Sequence, residues 1–400
     1  MTLKGRNNRS TSARTAPASF DPRLVRGRTR FIGAMRKYLE AQDYLEVQTP
    51  VLQPKLSGFE KGTGFSTFSS SLGERLWFRA APELYLKRLM IEGQSAGMDR
   101  IFEMAICLRD EYNEQEPRDS FDRPEFTLLE TYSCIDDPWA FEALLRGMLE
   151  KASQALEADG LKKDAKTRRG FGLLLSPWEH RDYASLVRTI DPAVDLEGLL
   201  QHAMQPSKES GQSQASMQAG AIAARAGDAT LREAAANLAY KSGGLAPYLR
   251  SGLQGYWLDF LDHAFQTRVV PNLVNPVIVH RLPLESSPLA ASQDGIHCDK
   301  WELYVNGVRV ALAQRELMDA EAQRVRFEHL AHLRKLGYEL VPEPDEGFVR
   351  ELEGWPKDRP LIGMGVYVDR LVGTAFGILG ADGRGQERMI PNLFKSGPHK

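Results

Sequence analysis

The chain has 400 residues, which is enough for one large domain with an insertion or for two medium domains. Its formal net charge of −2 gives no basic excess that would demand a nucleic-acid partner. The three cysteines (Cys107, Cys134 and Cys298) show no CxxC spacing, which predicts a reduced cytoplasmic protein without a cysteine-held metal. No uncharged apolar run approaches the roughly 18 residues that would span a bilayer.

The N-terminal region is expected to pass from a basic tail into a helix. Residues 1–20 contain basic side chains and no acid, which predicts a disordered tail, with a transit peptide or an RNA-contacting arm as alternatives. Asp21 and Pro22 are suited to begin a helix, and apolar residues at helical spacing continue it to about Ala41. The segment Tyr44 to Val51 is predicted as a strand at an edge or interface, since it contains proline.

A predicted strand–loop–strand between Ile101 and Tyr132 carries the most distinctive polar residues. The apolar run to Leu108 predicts a strand buried on both faces, and Arg109 and Glu111 follow where it ends. Pro117 and its charged neighbours predict a loop over residues 110–122. The second strand begins near Pro124, and strict alternation places four side chains on one face: Phe126, Leu128, Glu130 and Tyr132.

Glu130 is a glutamate on an otherwise apolar strand face. Burying such a carboxylate without a cation is costly, so this face either meets a positively charged ligand or contains an internal Arg or Lys partner. A second acid, Glu83, lies in the first turn of a helix opened by Pro82, just after a short strand at residues 76–78. The helix dipole favours a carboxylate there even when no ligand is bound.

The remainder of the chain alternates between helical and strand patterns. An amphipathic helix is predicted over residues 139–158, and residues 160–250 are expected to form a mainly helical insertion, rich in Ala, Gln, Ser and Gly over 195–245. Strands are predicted at residues 277–282, 301–305 and 308–313, the last two joined by an Asn306-Gly307 hairpin. Residues 361–377 predict a glycine-studded strand that enters a helix near Asp369, where Arg370 could reach a phosphate.

Three separated segments resemble the signature motifs of class II aminoacyl-tRNA synthetases, specifically the lysyl branch. RFIGAMRKYLEAQDYLEVQTPVL resembles motif 1, which builds the dimer interface of this family. LWFRAAPELYLKRLM, IFEMAICLRDE and RPEFTLLETY together resemble the amino-acid loop and motif 2. GMGVYVDRL resembles motif 3, and the resemblance extends over about residues 25–380.

Lysyl-tRNA synthetases carry an N-terminal OB-fold that reads the anticodon, whereas motif 1 begins near residue 25 here. The chain is therefore similar to stand-alone catalytic domains, such as the ligases that attach a lysine-type amino acid to elongation factor P. That similarity implies an acceptor other than a whole tRNA, either a protein lysine or a small-molecule amine, and weak or no tRNA binding.

The resemblance implies ATP- and Mg²⁺-dependent formation of an aminoacyl-adenylate from a cationic, lysine-like amino acid. In that reaction fixed cations must stabilise charge on the phosphates. The expected nucleotide-binding residues are Arg109 on the α-phosphate, Arg370 on the γ-phosphate, Glu111 and Phe126 at the adenine, Glu302 as a magnesium ligand, and Arg309. The expected amino-acid-binding residues are Glu83 at the α-amino group and Glu130, Tyr132 and Glu316 at the side-chain ammonium.

Several positions depart from the family pattern. Arg309 stands where the family has its second magnesium-binding glutamate. Either its guanidinium neutralises phosphate in place of the metal, or the nucleotide no longer binds productively, or the side chain is a solvated hairpin residue that points outward. Leu312 replaces an asparagine that helps to hold the substrate, with Ala313 and Gln314 following it. Tyr367 replaces the third glycine of motif 3, and Asp122 and Arg123 replace a His-Asn pair near the adenine.

The sequence thus predicts an α+β fold, a class II synthetase-type antiparallel sheet flanked by helices and dimeric through residues 31–51. Residues 21–400 would form one catalytic domain that includes the insertion. The alternatives are aminoacylation of tRNA or a minihelix without anticodon reading, an amide ligase in small-molecule biosynthesis, and a non-catalytic paralogue that binds an amino acid or tRNA.

Overall fold

The computed structural model describes residues 22–56, 64–109, 124–192, 194–203, 261–262, 264–335 and 344–378. The predicted basic tail, the loop that contains Glu111, Asp122 and Arg123, and most of the predicted insertion lie outside the described residues. The predictions for those segments therefore stay predictions.

Nine α-helices of the described ranges are numbered in chain order. They are α1 (Pro22–Glu40), α2 (Glu83–Gly93), α3 (Ala140–Ala158), α4 (Ala165–Leu174), α5 (Tyr183–Val187), α6 (Leu196–Ala203), α7 (Ala320–Lys335), α8 (Glu346–Leu352) and α9 (Val368–Ala375). The strands are β1 (Leu45–Glu46), β2 (Leu52–Gln53), β3 (Ser66–Ser69), β4 (Glu74–Phe78), β5 (Arg100–Leu108), β6 (Glu125–Ser133), β7 (Glu179–Asp182), β8 (Val277–His280), β9 (Lys300–Val305), β10 (Val308–Arg315) and β11 (Ile362–Tyr367).

The central feature is an eight-stranded sheet in the order β1-β5-β6-β11-β10-β9-β8-β7. Its pairs are antiparallel except at the two edges, where β1 runs parallel to β5 and β7 runs parallel to β8. A second sheet of three strands has the order β2-β4-β3. The predicted class II-type α+β architecture is confirmed.

Local sequence signals predicted most of these elements. Asn306 and Gly307 both have positive φ, 55° and 78°, as a tight hairpin between β9 and β10 requires. The predicted strand from Tyr44 to Val51 was wrong in its extent, because only Leu45–Glu46 pairs there and the ladder resumes at Leu52 in the smaller sheet. Pro50 lies in the interruption, where it need not donate a ladder hydrogen bond.

Helices cover both faces of the main sheet. On one face α1, α3, α4 and α9 pack in a core that contains Phe31, Met35 and Phe171, all fully buried. On the other face α2, α7 and α8 pack around Leu86, Phe327 and other buried side chains. The side chains of residues 31 and 35 thus point into the chain's own core.

Asp369, in the first turn of α9, forms hydrogen bonds with residues of α1 and β6. Its Oδ1 accepts from Nε of Arg28 in α1 at 3.1 Å, and its Oδ2 accepts from the backbone N–H of Thr127 in β6 at 2.8 Å. Arg28 also donates to Oγ1 of Thr127 at 2.6 Å. These bonds fix the neighbours Phe126 and Arg370 relative to each other.

The described start of the predicted insertion contains α4, α5 and α6 and also β7, which pairs in parallel with β8 at the sheet edge. Among the helices of the described ranges, none is both long and apolar enough to cross a membrane.

Candidate active site

The candidate site lies on one face of the strand pair β6–β11 and its neighbour β10. The register places Leu128 opposite Tyr367 and Glu130 opposite Gly365. A Cβ at residue 365 would lie 2.9 Å from Oε1 of Glu130, so the carboxylate keeps its present position only with glycine there. At Gly363 a Cβ would collide with the carboxylate of Glu316. The two glycines therefore make room for the two buried acids.

A buried lysine joins two of the expected amino-acid-binding residues. The ammonium of Lys87 in α2 is fully buried, lies 2.9 Å from Oε1 of Glu83 and forms an ion pair with Oε2 of Glu316. The amide of Gln314 donates to the same two carboxylates, at 3.4 Å and 3.1 Å, and accepts from the hydroxyl of Ser287 at 2.9 Å. The acids predicted to bind substrate ammonium groups thus already contact an internal one.

Glu130 and Tyr132 of β6 lie beside Glu83 and Glu316, and these four residues are called the acidic pocket. The phenol of Tyr132 donates to Oε2 of Glu130 at 3.4 Å. Burial raises the pKa of Tyr132 well above its usual value, and Glu130 adds to the rise, so the phenol stays a donor. Burial also raises the pKa of Glu316 against the opposing effect of Lys87. All four predicted residues of the amino-acid site therefore lie together.

Arg109 and Phe126 lie at the other end of the same strand face. Arg109 is only 7% exposed, and its Nε donates to the backbone oxygen of Ala80 at 3.1 Å. Its guanidinium lies 4.8 Å from the ring centroid of Phe126, which in turn lies 6.2 Å from the ring of Tyr367. A buried guanidinium over an aromatic ring is suited to a nucleotide, because anion and base contacts lie side by side.

Glu302 in β9 is buried between two cations. Its Oε1 accepts from Nζ of Lys300 at 2.9 Å and from Nη1 of Arg309 at 2.7 Å. Its Oε2 accepts from the phenol of Tyr304 at 2.7 Å. Burial alone would raise the pKa of Glu302, but the two cations lower it to about 2, so the carboxylate is ionised at neutral pH.

Arg309, Tyr367 and Arg370 form a second guanidinium–aromatic group. Nη2 of Arg309 donates to the phenolic oxygen of Tyr367 at 3.0 Å. The guanidiniums of Arg309 and Arg370 lie 5.5 Å and 4.5 Å from the centroid of this ring. Arg370 also donates to the backbone oxygen of Arg309 at 2.9 Å. The expected α- and γ-phosphate arginines are therefore connected through Tyr367 and Phe126.

The donor set at Glu302 does not fit a magnesium ion. Both carboxylate oxygens already accept hydrogen bonds, and two cations balance the one negative charge. A hard divalent cation requires oxygen ligands and little competing positive charge. Across the described ranges, no three His, Cys, Asp or Glu side chains come close enough to hold a metal. The predicted role of Glu302 as a metal ligand gains no support from this geometry.

Reasoning from the sequence overlooked two polar residues of the site, Lys87 and Lys300. Both carried a detectable signal. Lys87 follows Glu83 by one helical turn, and Lys300 precedes Glu302 by two residues in a strand, so each pair shares a face. Gln314 was recognised only as a departure from the family pattern.

Comparisons with known proteins identify the family of the chain. The model of the family of class II tRNA synthetases (D, K and N) matches residues 20–378. A lysine–tRNA ligase from Kineococcus radiotolerans is 30% identical over 359 residues, which cover 88% of this chain and 61% of the relative. A lysine–tRNA ligase from Methanospirillum hungatei is 30% identical over 356 residues, which cover 87% of this chain and 59% of the relative.

The chain spans about three fifths of the length of these two relatives. Because the family match extends over most of the chain and the fold has the expected sheet, the assignment rests on the whole domain rather than on one motif. The chain belongs to the family of class II tRNA synthetases (D, K and N).

Proposed function

We propose that this domain activates a cationic, lysine-like amino acid with ATP and transfers it as an aminoacyl group. The observation that carries the proposal is that Phe126 and Glu130 lie on the same face of β6. Phe126, beside Arg109, and Glu130, in the acidic pocket, are four residues apart on that face. At about 3.3 Å per residue their Cα atoms are roughly 13 Å apart, so one ligand could contact both groups.

The arrangement supports the following chemistry. The carboxylate of the amino acid attacks the α-phosphorus of ATP, a P–O bond forms, and pyrophosphate leaves. Negative charge builds on the α-phosphate oxygens, where the guanidinium of Arg109 would be a fixed counter-charge. Arg370 would neutralise the distal phosphates. Phe126 would stack on adenine, and Glu111, which lies outside the described residues, is proposed to bind the base.

The acidic pocket supports a cationic side chain. It contains the carboxylates of Glu83, Glu130 and Glu316, and two of them, Glu83 and Glu316, contact the ammonium of Lys87. A desolvated carboxylate set favours a cation over a neutral amino acid of the same shape. We therefore propose that Glu83 binds the α-amino group, while Glu130, Tyr132 and Glu316 bind the side-chain ammonium.

The proposed acceptor is an amine, either of a protein lysine or of a small molecule. The net charge of −2 supports this choice, because tRNA affinity depends mainly on phosphate neutralisation. Aminoacylation of tRNA is the second candidate, favoured by the names of the two relatives. The protein can be incubated with ATP and radiolabelled lysine, in one reaction with tRNA and in another with polyamines and protein amines. The acceptor that becomes labelled distinguishes the two candidates.

In the proposed reaction Mg²⁺ takes part only as the Mg²⁺–ATP complex that forms in solution. Since Glu302 is already paired with Lys300 and Arg309, we assign it no metal and no catalytic step through one.

A homodimer is also proposed. Apolar side chains exposed near the motif 1 region, Leu45 at 54% and Leu52 at 43%, are consistent with a contact surface there.

Amino-acid-dependent ATP–pyrophosphate exchange tests the proposed function. Exchange should be stimulated by lysine or by a related diamino acid, at least tenfold more than by leucine or glutamine. If none of the twenty amino acids and none of the common diamino acids stimulates exchange, the proposed activity is wrong and the non-catalytic alternative stands.

A further inference from the structure

Positive charge is concentrated around Tyr367. The guanidiniums of Arg309 and Arg370 lie over its ring, and that of Arg109 lies over the neighbouring ring of Phe126. Lys300 adds a buried ammonium next to Glu302. Burial lowers the pKa of Lys300, but charge and hydrogen-bond interactions, chiefly with Glu302, raise it overall. Several cations thus lie around Glu302 and Tyr367, an arrangement suited to a polyphosphate rather than to a divalent metal.

A metal ion at Glu302 would have to displace two cations from a carboxylate that is only 3% exposed. It would then leave the ammonium of Lys300, in a side chain 7% exposed, without the contact that offsets its own burial. Breaking a buried ion pair in this way is strongly unfavourable. Glu302 is therefore better suited to hold cations of the chain than to bind an added one.

Arg309 is held from two sides while remaining accessible. Nη1 bonds to Glu302 and Nη2 bonds to Tyr367, so the plane of the guanidinium is fixed. The side chain is still 26% exposed, in contrast to the buried Lys300. A guanidinium in a fixed plane loses little conformational entropy when it binds a phosphate oxygen.

We propose that Arg309 binds the phosphate chain of the nucleotide in place of a divalent cation, with Glu302 and Tyr367 as its positioning residues. The inference rests on the ATP use proposed above and adds that nucleotide binding at this subsite is independent of divalent metal. Glu302 thus acts through Arg309 and not through a magnesium ion.

Calorimetric titration of the intact chain with ATP, in EDTA and in excess Mg²⁺, tests the inference without relying on turnover. For the unmodified protein, the Kd should differ by less than about threefold between the two buffers. Arg309→Gln should weaken binding at least tenfold in EDTA. Arg309→Glu should weaken it further in EDTA but recover in Mg²⁺ or Mn²⁺, with bound Mn²⁺ detectable by electron paramagnetic resonance.

Tyr367→Phe removes only the phenolic oxygen and should weaken ATP binding in EDTA about two- to fivefold, since Arg309 loses one of its two supports. Arg181→Gln is the matched control. Arg181 lies on β7 of the same sheet, is partly exposed and pairs with Glu179 at 3.2 Å, so its loss should leave ATP binding unchanged. Thermal melts of every variant check that the fold is retained.

Strong ATP binding to the unmodified protein in Mg²⁺ and none in EDTA would overturn the inference while leaving the proposed function intact. The same holds if Arg309→Gln, with an unchanged melt, binds ATP as tightly as the unmodified protein in EDTA. Absence of ATP binding in both buffers would instead contradict the proposed function itself, so the two failures are distinguishable.

Discussion

The ammonium of Lys87 lies 2.9 Å from the carboxylate of Glu83, one turn earlier on α2, and the same ammonium contacts Glu316 on β10. Two acids expected to receive a substrate cation therefore share an internal one. Glu130 adds a third carboxylate to the pocket. Lys87 balances part of the negative charge of Glu83 and Glu316 before any ligand binds.

Lys87→Met should destabilise the fold, because it leaves Glu316 buried with no ammonium partner. We expect a loss of about 3 kcal/mol in the free energy of unfolding at pH 8, measured by urea denaturation. The loss should be smaller at pH 5, where a carboxyl group with a raised pKa can take up a proton. Arg36→Met is the control, since the Arg36–Glu46 pair is exposed and should contribute under about 1 kcal/mol. Equal losses in both variants would contradict the assigned role.

Local signals predicted the elements, but long-range pairing determined the site. The Asn306-Gly307 turn specified its hairpin through the positive φ of both residues. In contrast, β6 pairs with β11 more than 200 residues later, and no periodicity identifies such a partner. For this reason the sequence could place Glu130 on a buried face but could not show that Lys87 would meet Glu316.

The resemblance to a family supplied the functional positions that periodicity could not. It identified Arg109, Phe126 and Arg370 together. The structure places Phe126 and Arg370 next to Tyr367, and Arg109 over the ring of Phe126. It could not foresee that Lys300 and Arg309 would pair with Glu302, because their contacts depend on side-chain packing specific to this chain.

Gly365→Ala should impair amino-acid binding more than folding. The added Cβ would lie 2.9 Å from Oε1 of Glu130, so the carboxylate must shift out of its present position. We expect at least a tenfold loss in affinity for lysine, measured by calorimetry. Gly33→Ala is the matched control, since a Cβ there meets nothing within 4 Å and alanine favours the helix. Unchanged lysine affinity in Gly365→Ala would place the ligand elsewhere.

Arg109→Ala should abolish activation while preserving ground-state amino-acid binding in the acidic pocket. Loss of a charge-assisted contact to phosphate in a transition state costs on the order of 3 kcal/mol, which corresponds to a rate loss of roughly 100-fold or more. The measurement is lysine-dependent ATP–pyrophosphate exchange. Arg75→Ala, at an exposed arginine of the smaller sheet, should exchange normally. Exchange near the unmodified rate in Arg109→Ala would rule out its proposed role.

Glu285 gives a stability prediction that is independent of the site's activity. Its carboxyl group lies in the turn before β9, and burial raises its pKa to about 8, although Arg326 opposes the rise. The nearest histidine nitrogen, Nε2 of His329, lies 3.9 Å from its Oε2, which is longer than a hydrogen bond. The folded protein therefore binds a proton at Glu285 over a pH range in which the unfolded chain has released it.

The sign of the effect follows from proton linkage. Below about pH 4.5 both states are protonated at Glu285, and the group's contribution to stability is fully present. As the pH rises towards about 8, the unfolded chain is ionised and the folded state is not, so that contribution is progressively lost. Glu285→Gln keeps the shape of the protonated acid and cannot ionise. Relative to the unmodified protein, this variant should gain stability between pH 5 and pH 9 by about 4 kcal/mol in urea denaturation. Parallel stability profiles for the two proteins would show that Glu285 does not titrate in this range.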